Sequence, residues 1–146
     1  MLDLTLAIAH HLLIFSLFGV FMTEFVMVRD GISGTTIRWI AAVDLWYGVL
    51  AVLILAVGFG RVFFAAKGWF YYEHNLCFWL KIAAFLLIAA LSIPPTVAFI
   101  RWRRSPTPPS GQAIQSVRRL LWAQLVLFAL LPIFAAAMAR GIGEFG

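Results

Sequence analysis

Cysteine is nearly missing from this chain: Cys77 is the one thiol in 146 residues. That excludes an internal disulfide and any CxxC redox or metal pair, and it leaves Cys77, in an apolar stretch, as a small packing residue. Charge is scarce too. Charged side chains make up 12% of the sequence and only six are acidic, too few to keep a soluble domain of this composition in water. No stretch alternates polar and apolar residues as a half-buried strand does, and no internal repeat is present. A serine–histidine–aspartate arrangement is absent, so nothing points to hydrolytic chemistry of the triad kind. The four methionines, Met1, Met22, Met27 and Met138, are not clustered at helical spacing. They give little support to a soft Cu(I) site, so copper stands only as an alternative cofactor.

What remains is overwhelmingly apolar. Hydrophobic residues form 64% of the chain, against roughly 45–50% in soluble domains. Small soluble domains bury only part of their surface, so the natural solvent here is lipid. The net charge of +5 sits at the ends of apolar runs, which reads as membrane-surface anchoring and not nucleic-acid binding. Four runs, at about 4–28, 39–60, 76–100 and 113–140, each supply the roughly 20 apolar residues that a helix needs to cross a bilayer. The first is too long for a signal-peptide core and follows Asp3 instead of a basic segment, so it is read as a retained helix. Asn75 is placed to cap the third run. Pro106, Pro108, Pro109 and Gly111 keep the loop at 101–112 from being helical. The expected architecture is one domain, 1–146: an all-α integral membrane four-helix bundle of up-down topology.

Lys and Arg mark the sides. Arg29, Arg38, Arg101, Arg103, Arg104, Arg118 and Arg119 flank the first and third connections, whereas Arg61, Lys67, Lys81 and Arg140 lie towards the other face. The larger set is expected in the cytoplasm, with both termini in the periplasm of a bacterial inner membrane. Asp44, Gly48, Ala51, Leu55 and Gly58 share a stripe on the second helix, a face on which a neighbouring helix or a second copy can approach closely. Pro94-Pro95 and Pro132 remove backbone donors inside the third and fourth helices. Their effect is expected to be on helix shape, with freed carbonyls lining a polar cavity as the functional alternative.

Ionisable residues inside a span are costly and therefore informative. His10 and His11 lie about 10 Å inside the first helix, and Lys81 enters the third helix at matching depth from the same side. Arg61, Glu73, His74, Asn75 and Arg140 mark that surface. Neutral imidazole ligates metals and haem iron, which makes His10 and His11 candidate ligands. Adjacent helical residues point about 100° apart, so the two cannot aim at one centre. His74 or Lys81 would be the opposite ligand or polar partner. Arg61 and Arg140 are candidates to clamp carboxylates such as haem propionates, and interfacial anchoring beside Trp69–Tyr72 accounts for them equally well. On the arginine-rich side, Glu24 and Asp44 are expected to pair with Arg29, Arg38 or the loop arginines.

The segments Arg61-Val-Phe-Phe, Lys67-Gly-Trp-Phe-Tyr-Tyr-Glu-His-Asn75 and Phe78-Trp-Leu-Lys81 resemble a bacterial family of predicted membrane proteins of unknown function. Leu91-Ser-Ile-Pro-Pro-Thr96, Arg101-Trp-Arg-Arg104 and Met138-Ala-Arg-Gly141 fit the same family, so the resemblance spans nearly the whole chain. More distantly, the first-helix histidine and the Trp-containing lead into an intramembrane lysine resemble HemJ-type protoporphyrinogen oxidases and CopD-like membrane proteins. The HemJ resemblance implies haem b as cofactor, with His10 or His11 as the ligand histidine and Lys81 as the catalytic lysine. The long 67–75 segment and His74 depart from that pattern. The leading expectation is a haem-b-type or other tetrapyrrole site with a redox role. The rival is a non-enzymatic accessory subunit, an oligomer or part of a larger membrane complex, whose His and Lys only bond neighbouring helices.

Overall fold

A computed structural model describes residues 2–64 and 73–144, with backbone alone for Leu2, Asp3 and Phe64. Lys67 and the aromatic run Trp69–Tyr72 lie outside the described residues. Among the described residues the fold consists of four long helices: α1 Leu2–Met27, α2 Gly34–Phe64, α3 Leu76–Arg104 and α4 Gly111–Ala139. All four are long and apolar enough to span a membrane.

The helices outrun the apolar stretches because hydrogen bonding continues into the interface, where hydropathy no longer reports it. α2 starts at Gly34, and Ile37 N–H already reaches Ser33 O at 2.9 Å. α3 carries on through Arg101–Arg104, which the sequence assigned to the loop. Arginine is a good helix former and is favoured at a helix C-terminus. The stop comes at Ser105, whose extended backbone (φ −85°, ψ 138°) is what a residue before proline prefers. Asn75 caps α3 as expected, accepting from Phe78 N–H at 3.3 Å. Ser110 caps α4 by accepting from Ala113 N–H at 3.2 Å.

Contact is densest within the hairpins α1/α2 and α3/α4 and lighter where the hairpins meet. The arginine-rich end is closed by Arg118, whose guanidinium donates to Val28 O and lies over the Phe25 ring, 5.7 Å from its centroid. The other end is closed by the chain turning after α4. Asn75 Nδ2 donates to Ile142 O, and Leu76 N–H donates to Gly143 O at 2.8 Å. Gly143 adopts φ 88°, and a Cβ there would stand 3.1 Å from Cys77 Sγ. Both the backbone and the space require glycine. Gly143→Ala is expected to cost about 1–2 kcal/mol, measured as a lower midpoint in denaturation from mixed micelles, with Gly60→Ala as the unstrained control.

The core is aromatic at its centre. Phe21 is fully buried and stacks near Phe128 (4.9 Å between centroids) and Tyr47 (6.0 Å). Ile88 lies level with Phe128, and Ile40, Phe99, Ile114 and Leu121 continue the core towards the arginine-rich end. Leu4, Leu12, Phe15, Trp39 and Trp46 remain exposed, as lipid-facing residues do.

Candidate functional site

The two layers of polar residues form differently. On the terminal side, His10 turns into the bundle and His11 turns out. The His10 ring packs on α2, where a Cβ added to Gly58 would come within 3.3 Å of its Cε1. His10 Nδ1 is buried and has no hydrogen-bond partner among the described residues. His11 is exposed, and its Nδ1 lies 2.7 Å from Ala7 O, one turn back on its own helix. The rings stand 6.4 Å apart with their planes at 89°, and the 100° step between adjacent residues sends the two side chains to different faces of the helix.

Lys81 from α3 and Arg61 from α2 lie within electrostatic reach of His10 and of each other. Lys81 leans back over the Phe78 ring, 5.6 Å from its centroid, and Arg61 has its Nε buried without a partner among the described residues. Neither cation forms an ion pair with a described acid. Glu73, a possible partner for Lys81, instead lies 3.7 Å from His74 Nδ1. Three helices thus bring three basic groups together without a described counter-charge. Arg140 caps α4 and is exposed, as is His11. His74 stays at the surface with Glu73. No group of three His, Cys, Asp or Glu residues assembles as a metal cage among the described residues.

Gly58 makes room for the His10 ring, which a side chain there would crowd. Gly58→Val is expected to displace the imidazole and to cost about 1–3 kcal/mol by overpacking. The check is a denaturation midpoint alongside histidine NMR shifts, with Gly48→Val, where a Cβ meets nothing within 4 Å, as the harmless comparison. The two glycines also correct the expectation of one continuous small-residue face. Ten residues carry the stripe about 80° round the helix. Gly58 therefore meets α1, whereas Gly48 faces open space beside α3.

On the arginine-rich side the expected acid–arginine pairs are not made among the described residues. Glu24 is 2% exposed, and its Oε2 has no hydrogen-bond partner among the described residues. Asp44 accepts from Thr96 Oγ1 at 2.8 Å. Arg38 reaches only Thr35, and Arg118 is committed to Val28 and Phe25. The acids point inward, whereas arginine stems favour the water-facing ends.

Beside the two acids runs a chain of bonds that sequence reasoning missed. Tyr47 O–H donates to Gln124 Oε1 at 3.3 Å, and Gln124 Nε2 donates to Leu91 O at 3.4 Å. Leu91 O is the carbonyl that residue 95 would occupy in an unbroken helix, and Pro95 has no N–H to give it. Both the proline and the lone glutamine in an apolar run were signals of this pairing. Their partnership across α3 and α4 was not. A groove of about 740 Å³ opens between α2 and α3 and reaches Asp44, Tyr47, Ser92 and Thr96, with Arg103 at one end.

No curated protein and no solved structure matches the chain. Residues 2–143 match the family model described as predicted membrane protein (DUF2214), and the chain belongs to that family.

Proposed function

We propose that this multi-pass membrane protein holds a haem-b-type or related tetrapyrrole in the terminal half of the bundle and serves a redox role. The observation that carries the reading is the inward His10 imidazole, whose Nδ1 has no partner among the described residues and which lies within electrostatic reach of Arg61 and Lys81. The donor chemistry fits such a group. An imidazole nitrogen suits the iron, and guanidinium and ammonium groups suit propionates. His10 would supply the ligand to iron, and Arg61 and Lys81 would hold the carboxylates. His74 and Arg140 are outer partners at the membrane surface. A bound haem would supply one-electron exchange. The test is an absorption spectrum with iron analysis of protein purified after haem supplementation. A Soret band at near-stoichiometric iron is expected. A colourless, well-folded protein that takes up no added haem overturns the reading.

The local bonds of Lys81 to Phe78 and of His11 to Ala7 favour a second reading, an accessory subunit in which these groups serve only helix packing. It predicts a colourless protein in which His10→Ala lowers stability.

The same proposal places the chain in a bacterial inner membrane with its termini in the periplasm, supported by the arginine excess at the loops between α1 and α2 and between α3 and α4. With Cys77→Ala as background, Ser110→Cys is expected to resist an impermeant thiol reagent applied to intact cells. It should react after the membrane is opened. Ready labelling of intact cells reverses the orientation.

A further inference from the structure

Glu24 and Asp44 bring two carboxyl groups into one layer of the interior, within electrostatic reach of each other and of Tyr47. Neither forms a salt bridge with a described Lys, Arg or His. In a span, uncompensated carboxylates are expensive, and such groups persist where something neutralises them. The facing groups can be named helix by helix. α1 contributes Glu24, and α2 contributes Asp44 and Tyr47. α3 contributes Ser92, Thr96 and the freed Leu91 carbonyl, and α4 contributes Gln124. Arg103 is exposed at the end of the groove, and Arg118 is turned to Val28 and Phe25.

The polar atoms in this layer are overwhelmingly oxygen, and oxygen suits hard cations. No third carboxylate or imidazole joins the two acids among the described residues, which disfavours a divalent or transition metal. The second, independent mark of a ligand is Glu24 Oε2 itself: the residue is 2% exposed and this oxygen has no described partner. The groove between α2 and α3 gives access as far as Asp44.

We propose that Glu24 and Asp44 form a binding site for a monovalent cation, an alkali ion or a proton, reached along the groove between α2 and α3. One positive charge is shared between the carboxyl groups, with the Tyr47–Gln124–Leu91 chain fixing the helices around it. The site stands on the arginine-rich side, apart from His10, and does not depend on whether the terminal-side site binds haem.

The full-length protein in detergent micelles is treated with the apolar reagent dicyclohexylcarbodiimide, which attacks protonated carboxyl groups, and Glu24 is followed by peptide mass spectrometry. Choline, sodium, potassium and lithium chlorides are compared at one ionic strength, each over a pH series. If the cation is an alkali ion, one of these salts slows Glu24 labelling at least about tenfold relative to choline. If it is a proton shared by the pair, labelling ignores the salt and falls about tenfold per pH unit above a midpoint that Asp44→Asn lowers, whereas a lone carboxyl group would keep its midpoint. Asp44→Asn also weakens an alkali-ion response. Labelling that ignores the salt and keeps its pH midpoint in Asp44→Asn overturns the proposal. Should Glu24 not react, melting temperature decides. A shift of about 4 °C with alkali ion or pH that Glu24→Gln lacks supports the site. An equal response in both proteins, or none in the wild type, refutes it.

Discussion

On the proposed haem reading, His10→Ala removes the haem absorbance of protein purified from haem-supplemented cells, and His11→Ala leaves it. The two residues are neighbours with the same chemistry, so only their environments separate them. His10 packs on α2 at Gly58, and its buried Nδ1 has no partner among the described residues, whereas His11 is exposed and bonded to its own helix at 2.7 Å. Loss of a ligand to iron would weaken haem binding by at least about a hundredfold, given that loss of mere outer-shell partners costs tenfold to a hundredfold. His11→Ala removes one intrahelical bond, worth about 0.6 kcal/mol in a membrane protein. Lys81→Met is the intermediate case. It removes a cation within reach of the ring, so on the same reading haem retention would fall while the proposed iron ligand stays in place. Circular dichroism on each variant separates loss of cofactor from loss of fold. Equal colour in the His10 and His11 variants would remove His10 from the ligand role.

Phe21→Ala will be the most destabilising single truncation in the core. Phe21 is fully buried and lies where the two hairpins meet, with ring contacts to Tyr47 on α2 and Phe128 on α4. Such a truncation in a soluble core costs about 3–5 kcal/mol. In a bilayer part of that disappears, because lipid is as apolar as the interior and only the lost packing counts. About 2–3 kcal/mol is therefore expected, read from denaturation in mixed micelles. Phe15→Ala is the matched control. Its ring is 72% exposed and should cost under about 0.5 kcal/mol. A similar cost at both positions would mean that the aromatic layer does not join the hairpins.

The groove beside Gly48 bears on the possibility of an oligomer. Gly48 and Ala51 line it, but Gly58 is already taken by His10, so a second copy would find a shorter small-residue face than the stripe suggests.

How much was legible beforehand differs by layer. The all-α membrane class and the four spans followed from apolar run length, and the Asn75 cap followed from one residue in place before the run. These are local properties: twenty apolar residues can satisfy their backbone in lipid only by closing it into a helix. The depth match of His10, His11 and Lys81 was also legible, because residue number converts directly into height along a helix. Rotation about the axis was not. It depends on which faces of α2, α3 and α4 a helix meets, and that assigned His10 to the interior and His11 to lipid. The same rotation turned Glu24 and Asp44 away from the arginines that composition made their obvious partners. Gln124 is the clearest case of a residue that sequence could flag and not explain. Its partner carbonyl exists because of Pro95, on another helix, 29 residues earlier. Sequence alone determined that this chain crosses a membrane and how deep its polar groups lie. Tertiary structure alone decided which of them meet, because height is set within one helix and facing is set between helices.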